Sequence, residues 1–593
     1  MKPLLAQAVV AGAIVSLAEA MVSSRNDIQQ RPNIIVIQPD DHLFLEEWNP
    51  PGHFRMEADA WTSTFSPSSS TSTFESPAYI SPVPNINRIR NQGLEMTNAY
   101  AASTMCGTSR YSTLTGRLPS RSSYGRSMDQ SSPLFLRDVI IPKTKLEDVS
   151  GVEDSKDCSA NNLAAVLKQN GYSTGVVGKW HLEADSKDAN ALYNNYGRVQ
   201  ENVRRCGFDF AEAIYRENLG GDKNWNVDGG IVTHNMEHIT AEAIRFIQES
   251  VNRGQSKKTE RDTTGATLNI DTDTDNPFFL YFNPTVPHSS GDVTDALSNG
   301  NCRETVQGRL SEDPKVPYGM TASYDSCRQY RRTVLDRAAA AATGSSDESN
   351  DQDKWAGAVW VDDAIGSLFE TLEALDILSN TLILFQLDHG VDAKGTLFEG
   401  GSRIVQFIHY PDQIQVGGSE EATTQQQEGW KFDGLVSTID VAPTLMDLAG
   451  VPVTPPTEDG DENGNKQNNP VKHRYGMDGK SWFSDMIAAN TGAIEINSSQ
   501  QQQQLARQGR IHNNYFDKRC LFLEEGLDRA VRCGCYKYIY ISDTFDGRTV
   551  DKAGEYKLHH SLRTKIKRKP IPVGVWHSVW ISNFSWSSPF APF

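Results

Sequence analysis

Cys106 and Arg110 are the residues in this chain whose types and spacing most directly suggest chemistry. They lie in the run MCGTSRYSTLTGR, Met105–Arg117, among small and hydroxylic neighbours. A cysteine in such company is a disulfide partner, a thiolate nucleophile or the precursor of another group. A phosphatase-type thiolate needs an arginine six residues on, and that position is Ser112. A zinc site would want a second cysteine or histidine close by, and none flanks Cys106. The local signature of a papain-like thiol is also missing. A buried structural cysteine would account for Cys106 but not for Arg110, nor for the Leu114-Thr115-Gly116-Arg117 that follows.

Acidic pairs occur at two further places. NIIVI (Asn33–Ile37) runs into Gln38-Pro39-Asp40-Asp41-His42, and TLILFQL (Thr381–Leu387) runs into Asp388-His389-Gly390. An isolated Asp-Asp is ordinarily a solvated turn. Two strands delivering such pairs to one edge would instead form a hard-oxygen site suited to Ca²⁺ or Mg²⁺. His389 adds a nitrogen donor, which leaves the metal's identity open. Basic groups follow the same pattern: Lys179 and His181 in GVVGKWHL, His288 in NPTVPHSS and Lys394 in DAKGTLFEGG. Singly, each reads as a surface or packing residue. Converging on one edge, they would form a receptor for a tetrahedral oxyanion, with imidazoles available for proton transfer.

The elements that must position these residues alternate between strand and helix. Short β-rich runs are Asn33–Ile37, Thr174–Val177, Phe278–Phe282, Thr381–Leu387 and Arg403–His409. Helical patterns cover Asn161–Asn170, Met236–Val251, Trp355–Leu378 and Thr438–Ala449. This alternation implies an α/β fold with a large, mostly parallel sheet sandwiched by helices, whose chemistry gathers beyond the carboxyl ends of the strands. Thr62–Ser76, Gly254–Asp275, Thr343–Asp353, Gly417–Gly429, Pro455–Pro470 and Gln500–Gln504 read as exposed polar insertions.

A chain of 593 residues with 38% hydrophobic content has room for a large domain and a smaller one. Its net charge of −18 argues against nucleic acid as a partner; a local basic pocket can still bind a small anion. Residues 1–20 have the form of a secretory signal: Lys2, an apolar run from Leu4 to Leu17, then Ala18-Glu19-Ala20. That run is short for a bilayer span, so the expectation is an exported protein without a membrane span, secreted or held in a lysosome-like compartment. Eight cysteines in an exported chain invite disulfides. Cys302 and Cys327 are plausible partners, whereas Cys533 and Cys535, two apart in a strand-like run, are poorly placed to pair with each other. Asn497 and Asn583 fit the glycosylation triplet.

These residues together resemble the sulfatase family. Its signature, a cysteine or serine followed four residues later by arginine and closed by Thr-Gly-Arg, is matched by Cys106 to Arg110 and by Leu114 to Arg117. RPNIIVIQPDDH, PNINRIRNQGLEMTNAYAAS, GYSTGVVGKWHL, LDHG, KGTLFEGGSRI and DVAPTLMDLAG extend the similarity, in the family's order, over roughly Arg31–Gly450. The resemblance implies an alkaline-phosphatase-like catalytic domain at 31–455 and a smaller C-terminal α+β domain with an antiparallel sheet at 471–545. A divergent tail fills 546–593. It implies that Cys106 is converted by a formylglycine-generating enzyme to Cα-formylglycine, the nucleophile for a sulfate ester, with Arg110 stabilising it. Asp40, Asp41, Asp388 and His389 would bind a divalent cation, normally Ca²⁺, and Lys179, His181, His288 and Lys394 would bind sulfate and handle protons. Thr108 stands where the family usually has proline or alanine, and His389 where asparagine is commoner. The superfamily's rival activity is hydrolysis of phosphate or phosphonate monoesters; a non-catalytic binder of sulfated glycans would retain an unmodified Cys106.

Overall fold

The computed structural model describes residues 31–45, 81–121, 162–182, 196–216, 226–227, 230–231, 233–262, 276–288, 292–343, 348–414, 429–451, 477–483, 510–511, 516, 518–526, 528–534, 536–540 and 557–560. The leader at 1–20, Asn497, Asn583, the tail tryptophans Trp576, Trp580 and Trp586, and the insertions at 62–76, 455–470 and 500–504 lie outside these residues, as does almost all of 417–429.

Eight strands form the body of the main sheet: β1 (Asn33–Ile37), β2 (Leu94–Tyr100), β3 (Ser173–Lys179), β4 (Phe210–Tyr215), β5 (Phe278–Asn283), β6 (Thr381–Gln386), β7 (Gln406–His409) and β8 (Trp430–Ser437). Their spatial order is β8-β2-β7-β6-β1-β5-β3-β4, with Arg510–Ile511 beside β8 and Arg403–Ile404 beside β2. The pairs β6–β1, β1–β5, β5–β3, β3–β4 and β2–β8 are parallel. β7 alone among these eight is reversed against its neighbours. β5 and β6 are buried along their whole length, which is why FFLYFN and TLILFQ read as continuous apolar runs rather than as alternating ones.

Seven helices matter for the site and its support: α1 (Pro84–Asn91), α2 (Cys106–Thr115), α3 (Leu163–Gln169), α4 (Met236–Asp262), α5 (Cys327–Ala342), α6 (Glu348–Ala374) and α7 (Val441–Leu448). α4 packs on β3, β4 and β5 and against α6, which in turn contacts α1 and α5. α2, α3 and α7 pack together as a second group. The expected large, mostly parallel sheet covered by helices is therefore present. Two stretches expected as exposed insertions are partly helical: α4 continues to Asp262 and α6 begins at Glu348. Their Gln, Lys, Glu and Arg residues are good helix formers, and polarity alone does not end a helix.

Carboxyl-terminal to this body lies an antiparallel sheet of four strands in sequential order: β9 (Cys520–Glu525), β10 (Asp528–Cys533), β11 (Tyr536–Tyr540) and β12 (Lys557–His560). The last of these falls in the stretch expected to be a divergent tail. One face buries Leu521, Leu523, Ala530 and Ile539 against Tyr100, Leu397 and Leu435 of the main domain. The other carries the exposed side chains of Phe522, Tyr536, Tyr538 and Tyr540.

Cys302 and Cys327 form a disulfide, with Cα atoms 6.3 Å apart. Cys533 pairs with Cys520, directly opposite it in the β9–β10 ladder, and Cys206 is also disulfide-bonded. Cys106 is the free cysteine among the described residues. No helix among them is long and apolar enough to cross a membrane.

Candidate active site

β6, β1, β5 and β3 are consecutive neighbours and run parallel, so their carboxyl ends open onto one edge of the sheet. β6 delivers Asp388 and His389, β1 delivers Asp40 and Asp41, β5 leads to His288, and β3 ends in Lys179 with His181 two residues on. Two local devices aim these residues. Gly178 has φ +86°, and a Cβ there would meet Asn283 O at 1.9 Å, so only glycine fits the shift in register just before Lys179. Asp41 takes φ 55°, a left-handed conformation that aspartate tolerates better than most residues.

The carboxylates are held mainly by cations. Lys179 Nζ donates to Asp40 Oδ2, and Lys394 Nζ donates to both Asp41 oxygens at 2.8 and 2.7 Å. Arg110, fully buried, donates to Gln38 O at 3.3 Å and to Asp388 Oδ2 at 3.4 Å, and lies 3.7 Å from Asp40 Oδ1. Asp388 Oδ1 accepts from the backbone N–H of Asp41 at 3.3 Å and of His389 at 3.0 Å. Burial alone would raise the Asp40 carboxyl, but Lys179, His288, Arg110 and Lys394 hold it well below the usual carboxylate range. Burial raises Asp388, and the neighbouring Asp40 and Asp41 add to that rise.

Cys106 occupies the first position of α2, its residue 1% exposed, with Sγ 3.3 Å from His389 Nε2. The helix enters from extended Met105 and ends at left-handed Gly116, and Ser109 Oγ donates to Asp388 O. His389 Nε2 is also 3.2 Å from Asp41 Oδ1, and its Nδ1 is 3.0 Å from Gly390 O. Burial would lower this imidazole, but Asp388, Cys106 and Asp41 push it up to about 10. His288 Nε2 lies 3.7 Å from Asp41 Oδ2, and burial, with Lys179 and Lys394 near, brings its ring down to about 4.

The donor set fits a divalent cation. One ligand atom each from Asp41, Cys106, Asp388 and His389 lies within 4.8 Å of the others, as does one each from Asp40, Asp41, Cys106 and His288. Asp40 Oδ1 is buried and accepts no hydrogen bond, which is the oxygen such an ion would satisfy.

Asp40, Asp41, Cys106, Arg110, Lys179, His288, Asp388, His389 and Lys394, all singled out from the sequence, thus join one contact network. His181, also at φ 53°, is set by its backbone N–H donating to Arg216 O at 3.0 Å. The reading of single strands passed over Gln38, Ser109 and His234. His234 is buried, with Nδ1 2.9 Å from Thr285 Oγ1, and burial together with His288 brings it down to about 3. Its neighbours Thr233 and Asn235 carry no motif that marks it in the sequence.

A profile of the Sulfatase family matches residues 66–451, well over half of the chain. An arylsulfatase from Hemicentrotus pulcherrimus is 25% identical over 397 residues, covering 63% of this chain and 54% of that protein. The human N-acetylgalactosamine-6-sulfatase is 24% identical over 397 residues, covering 63% of this chain and 58% of that protein. The chain thus spans between half and two thirds of the length of these curated relatives. Among solved structures, Ps i-CgsB aligns with a TM-score of 0.47 at 18% identity, over 90% of this chain and 86% of that one. On the extent of the family match, the chain belongs to the sulfatase family.

Proposed function

We propose that this protein is an exported sulfuric ester hydrolase whose nucleophile is made from Cys106 and whose site holds one divalent cation, Ca²⁺ by family habit. One observation carries the reading: Cys106 at the start of α2 lies beside carboxylates, lysines and imidazoles that four separate strand ends and the Lys394 loop bring together. Sulfate-ester hydrolysis is also what the relatives' names describe. The leader-like residues 1–20 support export and a maturation step by a formylglycine-generating enzyme.

Formylglycine at position 106 would, as its hydrate, supply one hydroxyl as nucleophile and a second for release of sulfate, a route that a plain serine lacks. A bound cation, held by Asp40, Asp41, Asp388 and His389, supplies Lewis-acid stabilisation of the sulfate oxygens. The chain's own groups do the rest. Lys179 and Lys394 place ammonium charge against a tetrahedral anion, and the amino end of α2 adds to that field. Arg110 braces the Asp388 carboxylate and the Gln38 carbonyl, which fixes the first turn of α2. His288 or Lys394, both beside Asp41, delivers the proton to the departing oxygen, and His181 assists the release of sulfate.

Mass spectrometry of the Cys106 peptide from natively produced protein, paired with rates on matched aryl sulfate and aryl phosphate esters, tests this. An aldehyde at Cys106 and preference for the sulfate ester are expected. An intact thiol in active protein would refute the nucleophile, and preference for phosphate would move the chain to the rival hydrolase class.

A further inference from the structure

We propose that Glu525, the last residue of β9, is a positioning residue for the Cys106 nucleophile; this rests on the hydrolase reading above. Glu525 is 8% exposed, and its Oε2 accepts three hydrogen bonds, from Ser103 Oγ, Thr104 N and Thr104 Oγ1, each at 2.9 Å. These donors lie two and three residues before Cys106. Burial raises the Glu525 carboxyl, and the donors from Ser103 and Thr104 oppose that rise. Three donors focused on one buried oxygen fix the loop that feeds α2 more tightly than surface contacts would.

The grip extends in both directions. Ser103 Oγ lies 2.5 Å from Thr108 Oγ1, and Thr108 Oγ1 is also 3.1 Å from Met105 O. The hydroxyl of Thr108, where the family usually has proline or alanine, therefore sits on a polar chain that ends at Glu525. On the other side Thr104 O accepts from Gly395 N at 3.2 Å, next to Lys394. Thr104 is thus the junction of the end of β9, the nucleophile and the Lys394 loop. Glu524 completes the clasp: its N–H donates to Ala102 O at 2.8 Å, and its carboxylate accepts from Ser120 N and Oγ at 2.9 and 2.8 Å, beyond the far end of α2. Two successive residues at the end of β9 hold the chain before and after the nucleophile's helix, so this sheet belongs to the catalytic assembly rather than standing beside it.

The test uses full-length protein in Glu525→Ala, Glu525→Gln, Ser103→Ala and Ser103→Ala/Glu525→Ala forms, with conversion of Cys106 quantified. On an aryl sulfate, Glu525→Ala should lose about 10–100-fold in kcat with KM within about twofold, as expected of a misplaced reacting group. Glu525→Gln keeps an acceptor oxygen and should recover most of the loss, and the double variant should be no worse than Glu525→Ala alone. A second readout is independent of turnover. In protein produced with Cys106 left as the thiol, iodoacetamide should alkylate Cys106 about tenfold faster in Glu525→Ala than in wild type, because the loop opens locally. If Glu525→Ala fails to fold, Glu525→Gln and Ser103→Ala carry both readouts, with smaller changes in the same directions. Both kcat and alkylation rate within twofold of wild type across the variants would overturn the proposal, as would losses that simply add. Failure of wild type to hydrolyse sulfate esters would sink the hydrolase reading instead, and the alkylation rates would still decide the role of Glu525.

Discussion

Cys106 has 1% of its surface exposed, yet nothing in its packing needs sulfur: its neighbours at Sγ are an imidazole and the charged groups of the strand ends. Replacement by alanine removes the reacting atom and leaves a small, tolerable void. Cys106→Ala should lower kcat by at least about 10³-fold, the scale seen when a nucleophile is deleted. Its thermal midpoint should stay within a few degrees of wild type. Activity assays with calorimetry on the same preparation check both halves, and unfolding of the variant would mark Cys106 as structural. At this scale the sequence was legible where residue type alone limits the chemistry: paired aspartates at strand ends, a lysine closing β3, a cysteine four residues before an arginine. Glu525 and Ser103 were not legible, because their roles arise from a contact between residues 422 apart.

The elements were read best where periodicity was undiluted. β1, β5 and β6 are continuous apolar runs and were located to within a residue at each end. β2 and β8 were missed: LEMTNAY and WKFDGLVS mix polar residues into buried positions and give neither a clean alternation nor an apolar run. The Arg403–His409 run divides at Val405 into two short strands that both pair with β2, and only the second, β7, also pairs with β6. α1 shows how one element can depend on another. Its amino end has no side-chain cap of its own; instead Asp362 of α6 accepts from Ile86 N at 2.8 Å and Asn85 Nδ2 at 2.9 Å. Burial pushes the Asp362 carboxyl from its ordinary 3.8 up to about 7, against the pull of the Ile86 N–H. The folded state therefore holds this proton more tightly than the unfolded chain does. From this group alone, stability is greatest below about pH 4 and falls as pH rises to about 7. Asp362→Asn keeps an acceptor for Ile86 and removes the titration. It should raise the thermal midpoint at pH 8 relative to wild type by more than it does at pH 5, and equal shifts at the two pH values would refute this.

For the whole molecule, the proposed cation would join two strand ends. Ligand atoms of Asp40, Asp41, Asp388 and His389 come from β1 and β6, so an ion that binds them stabilises the folded chain and not the unfolded one. Calcium added to chelator-treated protein should raise the midpoint, by about 2.7 kcal/mol of stability at a free concentration one hundred times Kd. Asp40→Ala should abolish the effect. A thermal-shift titration with Ca²⁺, Mg²⁺ and Mn²⁺ measures it, and no shift with any of the three would argue against a cation at this edge.

The register that pairs Asn33 with Thr381 closes a separation of 348 residues. Pairings of that range make collapse to the native sheet slow compared with local helix formation. Until β1 settles between β5 and β6, the strand ends that wall in Cys106 are not assembled, and the thiol is open to any enzyme that modifies it; afterwards it is sealed. On the proposed conversion of Cys106, the topology that builds the site would also set the time open for that step.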